Sequence, residues 1–155
     1  MPLFLLVLLA SFAGVHVQEG GVACKAFRNG AGSFDPVSQQ VSLCPKVALQ
    51  RGRSLAEVAR HEFFHAVQHQ FQREQGFLPD SLLTPLVRQF MDDREVMAVL
   101  SLYPNAEVNS ELEARLASRW LPNAVVAAGL LAGALVVEPE RGGAIGSMRA
   151  YLLTR

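Results

Sequence analysis

The run Ser54-Leu-Ala-Glu-Val-Ala-Arg-His-Glu-Phe-Phe-His-Ala-Val-Gln-His-Gln-Phe-Gln72 constrains this chain more than any other stretch. It holds an H-E-x-x-H pattern at His61, Glu62 and His65. Histidines four apart on a helix stand one turn above the other, so their ring nitrogens converge on one point, and zinc is the metal this spacing suits best. Glu62 projects from the edge of the same face, where a carboxylate takes a proton from water without ligating the metal. Ser54 and Glu57 form a capping box and Gly76 is a stop signal, which places the motif mid-helix. Wound at about 100° per residue, the segment turns Val58, His61, Glu62, His65, Gln68, His69 and Gln72 to one side. Phe63, Phe64, Val67 and Phe71 go to another. The competing use of these histidines is as solvated or hydrogen-bonded residues on an ordinary amphipathic helix.

A chain of 155 residues, 50% apolar, suffices for one core and is too short for two. Its 14 basic and 14 acidic residues balance, which gives no footprint for nucleic acid or an anionic membrane surface. Pro2 to Ala10 is a leucine-rich run followed by small residues at Ser11 and Ala13, so residues 1–13 read as a secretory signal and 14–155 as a single domain. The alternative for 1–13 is a buried strand or helix. Cys24 and Cys44, the only cysteines, fit one disulfide in an oxidising compartment, secreted or periplasmic. Between them residues 28–36 are rich in turn formers, so 22–27 and 37–43 are expected as the strands of a hairpin. The strand 37–43 is expected as an edge that either pairs with an extended peptide across the metal or packs on the motif helix.

After Gly76, Pro79-Asp80 begins a helical stretch with Thr84-Pro85 as cap and first turn and Tyr103-Pro104 as its end, and with Leu86, Phe90, Met97 and Leu100 as its apolar stripe. Asp93 beside that stripe is either the acceptor that orients a ligating histidine or a solvated charge. A third helix runs from Asn109-Ser110 to Trp120. Its inward arc is expected to hold Leu112, Leu116, Ala117, Trp120 and Leu121, with Glu113 centred in it. A carboxylate there needs a positive partner, which a metal held by His61 and His65 supplies. Glu113 is therefore the expected third ligand. Its competing use is a capping box with Ser110, and Glu111, outside the arc and paired with Arg115, is the next candidate. His69 points past an ion already bracketed by His61 and His65. Residues 124–137 form an apolar run with Gly129 and Gly133 spaced four apart. At fourteen residues it is short for a bilayer, which favours a core helix over a membrane contact. A short final helix is expected over 148–153.

His61-Glu-Phe-Phe-His65, with Glu113-Ala114 on a later helix, resembles the zincin metallopeptidases of the gluzincin type. The likeness covers residues 22–121. It implies an α+β, mostly helical minidomain with a small N-terminal β-hairpin packed on the motif helix. It further implies zinc held by His61, His65 and Glu113, and hydrolysis of a peptide substrate by metal-activated water with Glu62 as general base. Gluzincins often add a Tyr or His that stabilises the oxyanion, for which Tyr103 and His69 are the candidates. Two other classes compete: a structural zinc module using Cys24, Cys44, His61 and His65, and a catalytically inactive zincin-like binding domain.

Overall fold

The computed structural model describes residues 1–21, 24 and 30–136. Its elements are α1 (Leu3–Phe12), β1 (His16–Glu19), β2 (Gly32–Asp35), β3 (Gln40–Leu43), α2 (Pro45–Gln50), α3 (Leu55–Gln70), α4 (Asp80–Phe90), α5 (Asp93–Leu102), α6 (Asn105–Trp120) and α7 (Asn123–Val136). The fold is α+β and mostly helical, as expected. The motif helix, α3, begins where its capping box requires: Ser54 Oγ accepts from Glu57 N at 3.1 Å. It stops at Gln70, earlier than Gly76, because Gln72 takes a left-handed φ of 55° and Arg73 N returns to Gln68 O at 2.7 Å.

The sheet runs β1-β3-β2, with β1 parallel and β2 antiparallel to β3. The hairpin is present but shifted. Its first strand, Gly32–Asp35, falls where a turn was expected, and the turn is 36–39. Asp35 builds that turn, accepting from Val37 N at 3.0 Å and Ser38 Oγ at 2.6 Å. Of the expected strand 22–27, only Cys24 is described. Cys24 and Cys44 form the expected disulfide, with Cα atoms 5.5 Å apart. Within 37–43, residues 40–43 form the central strand, so among the described residues the edge beside the motif helix is β2.

One cluster of the core joins α1, the sheet, α3 and α7 through Leu6, Val15, Val41, Leu43, Phe63 and Leu130. The segment read as a secretory signal is α1, whose Leu6 and Ala10 are fully buried, and Asn123 Nδ2 donates to Met1 O at 3.0 Å. The glycines of α7 face α3: a Cβ on Gly129 would lie 3.2 Å from Val67, and one on Gly133 would lie 2.8 Å from Gln70 Cβ. Their spacing serves close helix contact inside the chain. Among the described residues no helix is long and apolar enough to cross a membrane. The expected helix over 148–153 lies outside them.

A second cluster packs α4, α5 and α6 through Leu83, Val87, Met91, Val99, Val108, Leu112 and Leu116. The stretch expected as one helix is broken at Met91-Asp92, where the Asp92 side chain caps α5 by accepting from Glu95 N at 2.8 Å. The break shifts the phase of the wheel. Leu86, Met97 and Leu100 are exposed, and Leu83, Val87 and Val99 are inside.

Candidate metal centre

His61 and His65 stand on one face of α3 with their Nε2 atoms 3.2 Å apart. Glu111 Oε2, from α6, lies 3.4 Å from the first and 3.3 Å from the second. Donors about 2.0–2.1 Å from a tetrahedral ion are about 3.3–3.4 Å from one another, so the triangle already has the edges of a tetrahedral metal site. His61, His65 and Glu111 are a group able to hold a metal ion, and the donor set, two imidazoles and a carboxylate, suits zinc.

The third member is Glu111, which corrects the expectation of Glu113. Both Glu113 oxygens are taken up elsewhere: Oε1 accepts from Leu78 N at 2.6 Å, and Oε2 from Phe77 N at 2.8 Å and Gln68 Nε2 at 3.0 Å. Gly76, at φ 103°, lets the loop wrap that carboxylate, since a Cβ there would lie 2.8 Å from Glu113 Oε1. The capping box with Ser110 is absent too, because α6 starts at Asn105 and Ser110 is inside it. The error lay in assuming one buried face. Leu112 and Leu116 pack on α4 and α5, while Glu111, Ala114 and Ser118, spaced i, i+3 and i+7, form a separate buried stripe. Arg60 Nε bonding Ser118 O at 2.7 Å and Gln68 Nε2 bonding Ser110 O at 3.2 Å show that this side meets α3. Small residues at 110, 114 and 118 were the available signal. Trp120, expected inside, is 61% exposed.

Gln68 sets the state of His65. Its amide nitrogen donates to Ser110 O and Glu113 Oε2, so its oxygen is the atom facing His65 Nδ1, at 2.9 Å. Nδ1 must then carry the proton, and neutral His65 presents a lone pair at Nε2. Glu111 is held from behind by the expected i, i+4 pair, Arg115 Nε to Oε1 at 2.7 Å, which leaves Oε2 for the centre. Arg115 also meets Glu95 at 3.3 Å, and Glu95 meets Arg119 at 2.7 Å. His61 Nδ1 is buried with no hydrogen-bond partner among the described residues.

Lone pairs converging on one point attract a cation, and the titration of the groups reflects it. Burial raises the Glu111 carboxyl, but hydrogen bonds with His61 and His65 and the charge of Arg115 outweigh it and hold the group far below its ordinary value. For His65, burial opposes the charged ring, yet Glu111 and Glu62 win and raise its pKa. Glu62 is raised by burial, partly offset by the two histidines. Its side chain lies against β2: a Cβ on Gly32 would come within 2.8 Å of Glu62 Cγ and Val58 Cγ1.

A cavity of about 470 Å³ opens over the centre, lined by β2 residues Gly32 to Phe34, by His61, Glu62 and His65, and by Tyr103. Of the two expected electrophiles, Tyr103 lies at the centre's wall, its hydroxyl pushed up to about 12 by burial and the Glu111 charge. His69 lines the far part of the cavity, 3.5 Å from Glu74. Asp93 is exposed in the first turn of α5, and the acceptor at His65 is Gln68. The cysteines are bonded to each other and are not ligands. No protein-family model matches the chain, and neither a curated protein nor a solved structure matches it.

Proposed function

We propose that the chain is a zinc-dependent peptidase of an oxidising, extracytoplasmic compartment, in which His61, His65 and Glu111 hold the ion. The observation that carries this reading is the triangle of donor atoms with tetrahedral edges beside a buried carboxylate that ligates nothing. The ion would supply Lewis acidity toward water and toward a peptide carbonyl. Glu62, next to His61 on the same face, takes the proton from the attacking water and passes it to the leaving amine nitrogen, so that one water and one peptide become an acid and an amine. The raised pKa of Glu62 suits a group that must hold that proton between the two steps. Among the described residues β2 is an edge strand that an extended substrate can pair with, and Tyr103, which lines the same cavity, would donate to the developing oxyanion.

The test pairs Glu62→Gln with wild type on a mixture of peptides. The variant should keep one zinc per chain and lose cleavage by about 10²–10⁴-fold, the range of a general base. Turnover retained in Glu62→Gln overturns the mechanism. Absence of any cleavage by zinc-loaded wild type overturns the activity.

A further inference from the structure

We infer that the groove at this centre has one basic arm, in which Arg53 receives a carboxylate of the substrate, an acidic side chain or a free C-terminus. The inference rests on the reading of the site as one that takes peptides. Two cavities, of about 470 and 230 Å³, share Gly32, His61, Glu62, Tyr103 and Glu111, so they are two arms meeting at the centre. The larger arm adds Phe34, His69, Glu74 and Glu107. The smaller adds Arg51, Arg53 and Arg115, and its only carboxylates among the described residues are Glu62 and Glu111 at the junction. The arms therefore differ in sign.

Arg115 is spent on Glu111 and Glu95. Arg53 is not. Half-buried at the arm's wall, it acts through its charge on Glu62 at the junction but makes no ion pair or side-chain hydrogen bond among the described residues. Its backbone is fixed, with Arg53 N bonded to Ala48 O at 3.0 Å after Gly52 turns the chain at φ 65°. A guanidinium carries five N–H donors in a planar fork that matches a carboxylate bidentately, and a partly desolvated one whose donors no described side chain takes up favours such an anion over an amide. A lysine or arginine side chain would instead meet repulsion there and find carboxylates in the other arm.

The probes are peptide hydroxamates, which anchor on zinc and extend a side chain to one side or the other. Two series, extending in opposite directions, carry Glu, Gln or Lys at the variable position, with a free carboxylate terminus compared with its amide. Binding to the zinc-loaded Glu62→Gln chain is followed by calorimetry. In one series Glu should bind about tenfold more tightly than Gln, the order expected for a charge-assisted hydrogen bond. Arg53→Gln should abolish that preference and Arg53→Glu should turn it towards Lys, with zinc content unchanged in both. Whether the preference follows the side chain or the terminus identifies the carboxylate. In the metal-free chain, glutarate should shift the Arg53 Nε–H resonance and glutaramide should not.

Equal binding of Glu and Gln in both series, or a preference that survives Arg53→Gln, overturns the inference, as does an Arg53 resonance indifferent to glutarate. Peptide cleavage that ignores Arg53 leaves the hydrolase reading intact and removes this one. Arg53-dependent binding without cleavage by wild type does the reverse.

Discussion

With both amide N–H groups of Gln68 committed to Ser110 O and Glu113, the tautomer of His65 is decided by residues that never reach the centre. Gln68→Leu should lower zinc affinity about 10–100-fold, the range for a lost orienting partner, as read by competition with a chromophoric chelator. Glu111→Ala and Glu113→Ala, neighbours on one helix, should separate cleanly. The first loses zinc from elemental analysis. The second keeps close to one zinc but is destabilised, because the part-buried Phe77 N and Leu78 N lose their acceptor. Zinc lost from Glu113→Ala at full folding would return Glu113 to the centre. The triad His61, Glu62 and His65 is legible in sequence because it depends only on spacing within one helix. Choosing between Glu111 and Glu113 requires knowing that α6 is buried on two sides, by α3 and by α4 with α5.

At the scale of elements, the contact of α7 with α3 depends on two glycines. Alanine favours a helix over glycine by about 1 kcal/mol, yet at 133 the added methyl meets the Gln70 side chain, whose amide donates to Ala13 O at 3.2 Å. Gly133→Ala should therefore lower Tm despite its better propensity, and a raised Tm would show that α7 moves away at no cost. The existence and type of the long helices follow from caps and prolines: Ser54 starts α3, Pro104 precedes α6 and Pro122 precedes α7. The break at Asp92 was legible as Asp-x-x-Glu ending at Glu95. Thr84-Pro85, expected as cap and first turn, lies inside α4, whose N-cap is Pro79. Strand β2 was not legible, since Gly32-Ser-Phe-Asp35 has turn composition and owes its pairing to β3 and its place to the close fit of Gly32 on Glu62.

For the whole molecule, the centre sets how stability follows pH. Without metal, His65 has a pKa raised above 6.5, so its contribution is complete below that value and is lost as pH climbs through the raised one. Glu62, raised above 4.5, acts in the same direction. Glu111 is lowered, so its contribution is present above 4.5 and is lost as pH falls. The metal-free chain should therefore lose stability as pH falls below about 4.5, and lose it again on the alkaline side, through Glu62 above about pH 4.5 and through His65 above about pH 6.5. The zinc-loaded chain should gain over that same upper window, because zinc displaces protons. Thermal melts from pH 4 to 8 check both slopes, and a metal-free Tm that rises from pH 6.5 to 8 would contradict the shifts. A chain begun at Gly14 should also melt lower than the full chain, since Leu6 and Ala10 leave the first cluster with α1.

The Cys24–Cys44 bond makes a closed covalent ring of the segment that carries β2. On that ring Val37 is 93% open to solvent, in the turn after Pro36. A cut there by a protease opens the ring without dividing the molecule. Both pieces stay tethered through sulfur, β2 keeps its place over Glu62, and the nick becomes visible only when a reductant releases a small N-terminal fragment.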